Sequence, residues 1–138
     1  MTTIVYNHED KEIAYDSRVT KGSYIATDNQ NKRISAKGVD FFLSGDNNCI
    51  LKVVDNWPEI KEGIDCCGFV VISGVVKWLS SGCDWSGLDD CYYSEAAGSG
   101  EDHAITAIDL GCSAKKAVEM AAKRDSHTGG TINVFNVK

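Results

Sequence analysis

The chain has 138 residues, 43% of them hydrophobic and 25% charged, with a formal net charge of −6 at pH 7. That length holds one compact core, and the composition excludes a disordered or fibrous chain. The acidic excess disfavours nucleic acid as a partner, because phosphate binding needs clustered Lys and Arg. The apolar run Cys66 to Val76 is far too short to span a bilayer, and Glu9 and Asp10 stand where a secretory signal needs apolar residues. The expectation is therefore a cytoplasmic protein, a single domain over 1–138, with no membrane partner.

In chain order, Thr2 to Asn7 is rich in β-branched and aromatic residues, His8 to Asp10 is polar, and Lys11 to Tyr15 resumes an alternating pattern. This predicts a hairpin starting at the first residues. A second hairpin is expected from Tyr24 to Thr27 and Lys32 to Ser35, turning at Asp28 to Asn31. Phe41 to Ser44 is a short apolar run that Gly45 closes with a turn. Cys49, Ile50, Val53 and Val54 have helical spacing over Asn47 to Asp55, and Pro58 stops that helix. Phe69 to Ile72 and Val75 to Leu79 flank Ser73-Gly74, a tight-hairpin signal, and the Gly- and Asp-rich stretch from Ser80 to Asp90 reads as loop. Glu101 to Leu110 has acids in its opening turn and Gly111 at its end. Ala114, Ala117, Val118, Ala121 and Ala122 form one apolar stripe behind the N-cap candidate Ser113. Thr131 to Val137 alternates and closes the chain as a strand. Strands, then helices, then a strand make an α+β order.

The six cysteines show no C-x-x-C pair, so zinc and thioredoxin-type chemistry find no motif, and free, mostly buried thiols are expected. His8, His103 and His127 have no metal-ligand spacing, so no metal and no cofactor is expected. Asp125, Ser126 and His127 cannot form a triad because consecutive side chains cannot line up as orienter, nucleophile and base. Trp57, Trp78 and Trp85 read as core or interface residues.

Four separated blocks carry a resemblance. They are Thr2-Thr3-Ile4-Val5, then Tyr15-Asp16-Ser17-Arg18-Val19-Thr20-Lys21-Gly22, then Gly98-Ser99-Gly100, and finally Lys123-Arg124-Asp125-Ser126-His127-Thr128-Gly129-Gly130. In order and spacing they resemble the proteasome β subunits and the bacterial proteasome-like peptidase, over almost the whole chain. The resemblance implies a four-layer αββα sandwich of the N-terminal nucleophile hydrolase type. Its middle helical segment, about Asn47 to Gly63, is abbreviated here, where the family carries two helices.

The resemblance also implies a threonine endopeptidase whose nucleophile is the Thr2 hydroxyl. Its base is the amine freed when Met1 is removed, a group whose ordinary pKa of about 7.7–8.0 suits proton transfer near neutrality. Lys32, held by Asp16 sixteen residues earlier, would favour deprotonation; its neighbour Arg33 is the alternative one residue away. Ser99, Asp125 and Thr128, the last at a position where the family commonly has Ser, would orient the amine. The Gly45 N–H would serve the oxyanion, a donor typically worth about 2.7–4 kcal/mol. The implied partners are a polypeptide substrate, other copies of the chain in a homo-oligomer, and an ATP-dependent unfoldase. An inert structural relative and a small-amide amidohydrolase are the alternatives.

Overall fold

The computed structural model describes residues 2–59, 65–81 and 86–137; Met1, Cys83 and Trp85 lie outside them. Strands β1 (Thr3–Asn7), β2 (Glu12–Tyr15), β10 (Glu95–Gly98) and β11 (Asn133–Asn136) form one antiparallel sheet in the order β10-β1-β2-β11. Strands β5 (Arg33–Ala36), β6 (Val39–Gly45), β7 (Cys66–Ile72), β8 (Val75–Ser81) and β9 (Ser86–Asp90) form a second, paired in chain order. A two-stranded ribbon, β3 (Val19–Lys21) with β4 (Tyr24–Thr27), stands apart from both. The helices are α1 (Asn47–Asn56), α2 (Glu101–Asp109) and α3 (Ala114–Arg124).

The two-residue period of a strand explains the layering. On β1, Ile4 and Tyr6 face the second sheet, while Val5 faces α2 and α3; β2 repeats this with Ile13 and Tyr15 against Ala14. On β6, Phe42 faces the first sheet, and Phe41 and Leu43 face α1. The inter-sheet core thus joins Ile4, Tyr6, Ile13 and Tyr15 to Phe42, Phe69, Val71 and Val76, each fully buried large side chain contributing roughly 1.5–3 kcal/mol. The stack reads α2/α3, four-stranded sheet, five-stranded sheet, α1: the four-layer sandwich, with a single helix as its fourth layer among the described residues.

Local signals set the helix ends. Asp46 caps α1 by accepting from the Asn48 and Cys49 N–H groups, and Trp57, with Pro58 behind it, leaves helical geometry at ψ 137°. Ser113 caps α3 by accepting from the Lys116 N–H. The Ser73-Gly74 pair has φ of 50° and 77°, the positive-φ turn that a two-residue hairpin needs.

Three expectations are corrected. Tyr24–Thr27 pairs with Val19–Lys21 instead of the segment after it, and Arg33–Ala36 pairs forward with β6. Gly45 ends a strand, in register with Cys66, instead of making a turn. The presumed loop from Ser80 holds the end of β8 and all of β9, whose Gly and Asp residues are tolerated because Ser86–Asp90 pairs with a strand already fixed in the sheet. Residues 82–85 of that stretch lie outside the described residues.

Candidate active site

The first residues of β1 lie between β10 and β2 at the end of the sheet where the α2 and α3 turns meet it. Thr2 and Thr3 are buried there. Asp16, fully buried just past β2, gathers four groups. Its Oδ1 accepts from the Thr3 N–H at 3.2 Å and from Lys32 Nζ at 2.7 Å. Its Oδ2 accepts from the Gly129 N–H at 3.1 Å and the Arg18 N–H at 3.4 Å. One carboxylate therefore fixes the start of β1, the lysine and the loop after α3 together. The adjacent cation takes a different partner, Arg33 Nε to Asp40 Oδ1 at 2.9 Å, so the structure selects Lys32 over Arg33 beside Asp16.

A second carboxylate organises the opposite flank. Asp125 caps the C-terminal end of α3, and its Oδ2 accepts from Ser99 Oγ at 2.5 Å and Thr128 Oγ1 at 2.6 Å. Thr128 Oγ1 also lies 2.6 Å from Thr3 Oγ1, and Ser99 Oγ is 3.5 Å from the Thr2 carbonyl oxygen. Asp16, which carries Lys32, and Asp125, which carries Ser99 and Thr128, thus both tie into Thr2-Thr3.

The electrostatics follow from this packing. Burial pushes the Lys32 ammonium below the ordinary lysine range, against the pull of Asp16 and, more remotely, Asp125. Burial pushes the Asp125 carboxyl up, but hydrogen bonds from Ser99, Thr128 and the His127 N–H outweigh it and hold the group below its usual range. A cation with a weakened hold on its proton and an acid held below its usual range are therefore both linked, through Asp16 and through Ser99 and Thr128, to the same two residues.

Glycines make the approach possible. A Cβ on Gly98, whose φ is 104°, would stand 1.8 Å from the Thr2 carbonyl oxygen, and one on Gly100 would stand 2.2 Å from Thr3 Oγ1. The space above Gly98 is bounded by Ser44 Oγ, 3.3 Å from that Cβ position, which brings the end of β6 beside the start of β1. Gly45 follows at φ 143°, where a Cβ would meet the Asp65 carbonyl at 2.5 Å. Its register partner Cys66 is a buried thiol whose pKa burial pushes up to about 12.

Solved structures with this architecture exist. The chain superimposes on Thiobacillus denitrificans BPH in complex with epoxomicin at TM-score 0.74 and 14% identity, covering 97% of each chain. It matches the eukaryotic HslV of Trypanosoma brucei at TM-score 0.74 and 15% identity, over 97% of this chain and 98% of that one. The chain has the N-terminal nucleophile hydrolase fold. No protein-family model and no curated protein matches the sequence. Within this fold, the site residues beyond the expected set are Thr3, whose hydroxyl joins the Thr128 network, and Gly98. The repeated Thr and the Gly98-Ser99-Gly100 block were visible signals, but side-chain direction and close backbone approach were not. Among the described residues no cluster of His, Cys, Asp and Glu could hold a metal ion, and no helix is long and apolar enough to cross a membrane.

Proposed function

We propose that the protein is a threonine-type endopeptidase acting through Thr2 once Met1 has been removed. The observation that carries this reading is the double anchoring of Thr2-Thr3: Asp16 binds Lys32 and the Thr3 N–H, while Asp125 binds the two hydroxyls that reach the Thr2 carbonyl and Thr3 Oγ1. Epoxomicin bound to a protein of the same fold is consistent with it.

In this mechanism the Thr2 amine takes the proton of the Thr2 hydroxyl as Oγ1 attacks the scissile carbonyl. The Lys32 charge lowers the amine's pKa and stabilises the alkoxide, and Ser99, Asp125 and Thr128 orient the amine. The Gly45 N–H meets the oxyanion. Collapse of the tetrahedral intermediate breaks the C–N bond, the amine's proton leaves with the departing amine, and an ester on Thr2 remains. Water, deprotonated by the same amine, hydrolyses that ester. The substrate is polypeptide, the working form is a homo-oligomer in the cytoplasm, and an ATP-dependent unfoldase would supply unfolded chain.

Intact-mass measurement tests this directly. The purified protein should lack Met1, gain one adduct from a peptide epoxyketone, whose two electrophilic carbons capture both the amine and the hydroxyl of an N-terminal threonine, and lose that adduct in Thr2→Ala. A retained Met1, or a processed chain that takes up no inhibitor, would overturn the reading in favour of an inert structural relative.

A further inference from the structure

The turn that carries Asp125 and Thr128 is held on three sides. α3 holds it from behind through the Asp125 N–H to the Ala121 carbonyl at 2.8 Å. Asp16 holds its far end at the Gly129 N–H. Within the turn, the Thr128 N–H reaches the Asp125 carbonyl and the His127 N–H reaches Asp125 Oδ1, each at 3.1 Å. The third side faces the β3–β4 ribbon: at the ribbon's base the Ser17 N–H donates to the Gly129 carbonyl at 3.1 Å, and beyond it the ties come from side chains, Arg18 Nη1 donating to the Ser126 carbonyl at 3.2 Å and His127 Nδ1 lying 2.9 Å from Thr20 Oγ1.

The ribbon is built so that Thr20 meets this turn. Its pairing runs Val19 with Thr27 and then Thr20 with Ile25, a register shift between neighbouring residues. Such an irregularity bends a strand and re-aims its side chains. The ribbon belongs to neither sheet, and most of it is exposed, so its placement rests on the few groups at its base: the Arg18–Asp28 pair at 2.8 Å, and Ser17 Oγ bonded to the Asp28 and Thr131 carbonyls. Among the described residues, the Thr20–His127 contact joins the strand itself to the Asp125 turn. A threonine hydroxyl can donate or accept, so the bond persists in either imidazole tautomer and in the imidazolium.

Resting on the peptidase reading above, we infer that His127 is a positioning residue: through Thr20 it couples the β3–β4 ribbon to the turn that aims Asp125 and Thr128 at the nucleophile. It does not touch the reacting atoms. Its part is to remove the freedom of a five-residue turn whose hydroxyl and carboxylate must lie within a few tenths of an ångström of their working places.

The test is a double-mutant cycle on the processed protein, with kcat and KM read on a fluorogenic peptide and Tm read alongside. His127→Ala and Thr20→Val should each lower kcat about two- to twelvefold, the effect of one neutral hydrogen bond, with KM and Tm nearly unchanged. The double variant should fall no further than the worse single one, because both changes remove the same bond. His127→Asn, which keeps a donor and an acceptor near the Nδ1 position, and Thr20→Ser, which keeps the hydroxyl, should recover most of the loss. Multiplying losses in the double variant, a change confined to KM, or a kcat that merely follows Tm would overturn the inference while the parent stays active. A parent that neither cleaves peptide nor takes up an epoxyketone overturns the peptidase reading, and this inference with it.

Discussion

On one face of the sandwich α2 and α3 meet the four-stranded sheet through Ala104, Ala107, Ala114, Ala117 and Ala121; on the other, α1 meets the five-stranded sheet through Ile50, Val53 and Val54, set against Phe41, Leu43 and Leu79. The first layer buries little apolar area per residue, since a buried methyl-sized group contributes only about 0.8 kcal/mol, but small side chains let the helices approach the sheet closely. The second buries more per residue and, among the described residues, carries none of the groups that bond to Thr2-Thr3. Both segments bearing the site's hydroxyls and its Asp125 hang from the ends of the alanine-lined layer: Gly98-Ser99-Gly100 enters α2, and Asp125 to Thr128 leaves α3. Close packing fixes position, bulky packing supplies stability, and this chain divides them between its two helical faces.

The division can be broken first at Gly98. Gly98→Ala puts a methyl onto the Thr2 carbonyl at a φ that disfavours side chains, and strain plus overpacking should together cost about 2–6 kcal/mol. Urea unfolding measures the loss, and epoxyketone labelling should vanish even in the fraction that remains folded. Asp16→Asn comes next. It leaves the Lys32 ammonium buried without its carboxylate, which costs about 3–5 kcal/mol for a broken buried pair, and Lys32→Met added to it should recover part of that loss.

The opposite face supplies the contrast. Val53→Ala removes two buried carbons under α1 and should cost about 2 kcal/mol by urea unfolding, while the labelling rate of Thr2 per folded molecule stays at the parental value. Labelling that drops with stability would show that the two layers are not independent.

The smallest effect is a pH dependence. Asp125 titrates below its reference value of 3.8 in the folded protein, so its bonds stabilise the fold above about pH 4 and lose that contribution as pH falls through 3.8 toward the lower folded value. Asp125→Asn should therefore be less stable than the parent at pH 6, and the gap should narrow as pH falls below 3.8 in thermal melts.

What the sequence revealed follows the same split. The Ala114 to Ala122 stripe, the Ser113 cap and the Ser73-Gly74 turn are local signals, and the structure keeps them where they are expected. The pairing of Tyr24–Thr27 differs from the expected one because alternation says that a segment is a strand but not which neighbour it joins. β9 carries no strand signal of its own because Ser, Gly and Asp have poor strand propensity, which a paired β8 overrides. At the site, the family resemblance pointed to Asp16 and Lys32, which lie 2.7 Å apart, whereas the Thr3–Thr128 and His127–Thr20 contacts depend on side-chain directions that only the folded backbone defines.

The buried thiol opposite Gly45 bears on chemoselectivity. Burial pushes its pKa up to about 12, so Cys66 is held as the thiol near neutral pH, and the thiolate is the reactive form. Its side chain packs with Leu43, Ile50 and Val53 on the α1 side of the five-stranded sheet, so burial and protonation both shield the sulfur from electrophiles while the fold is intact.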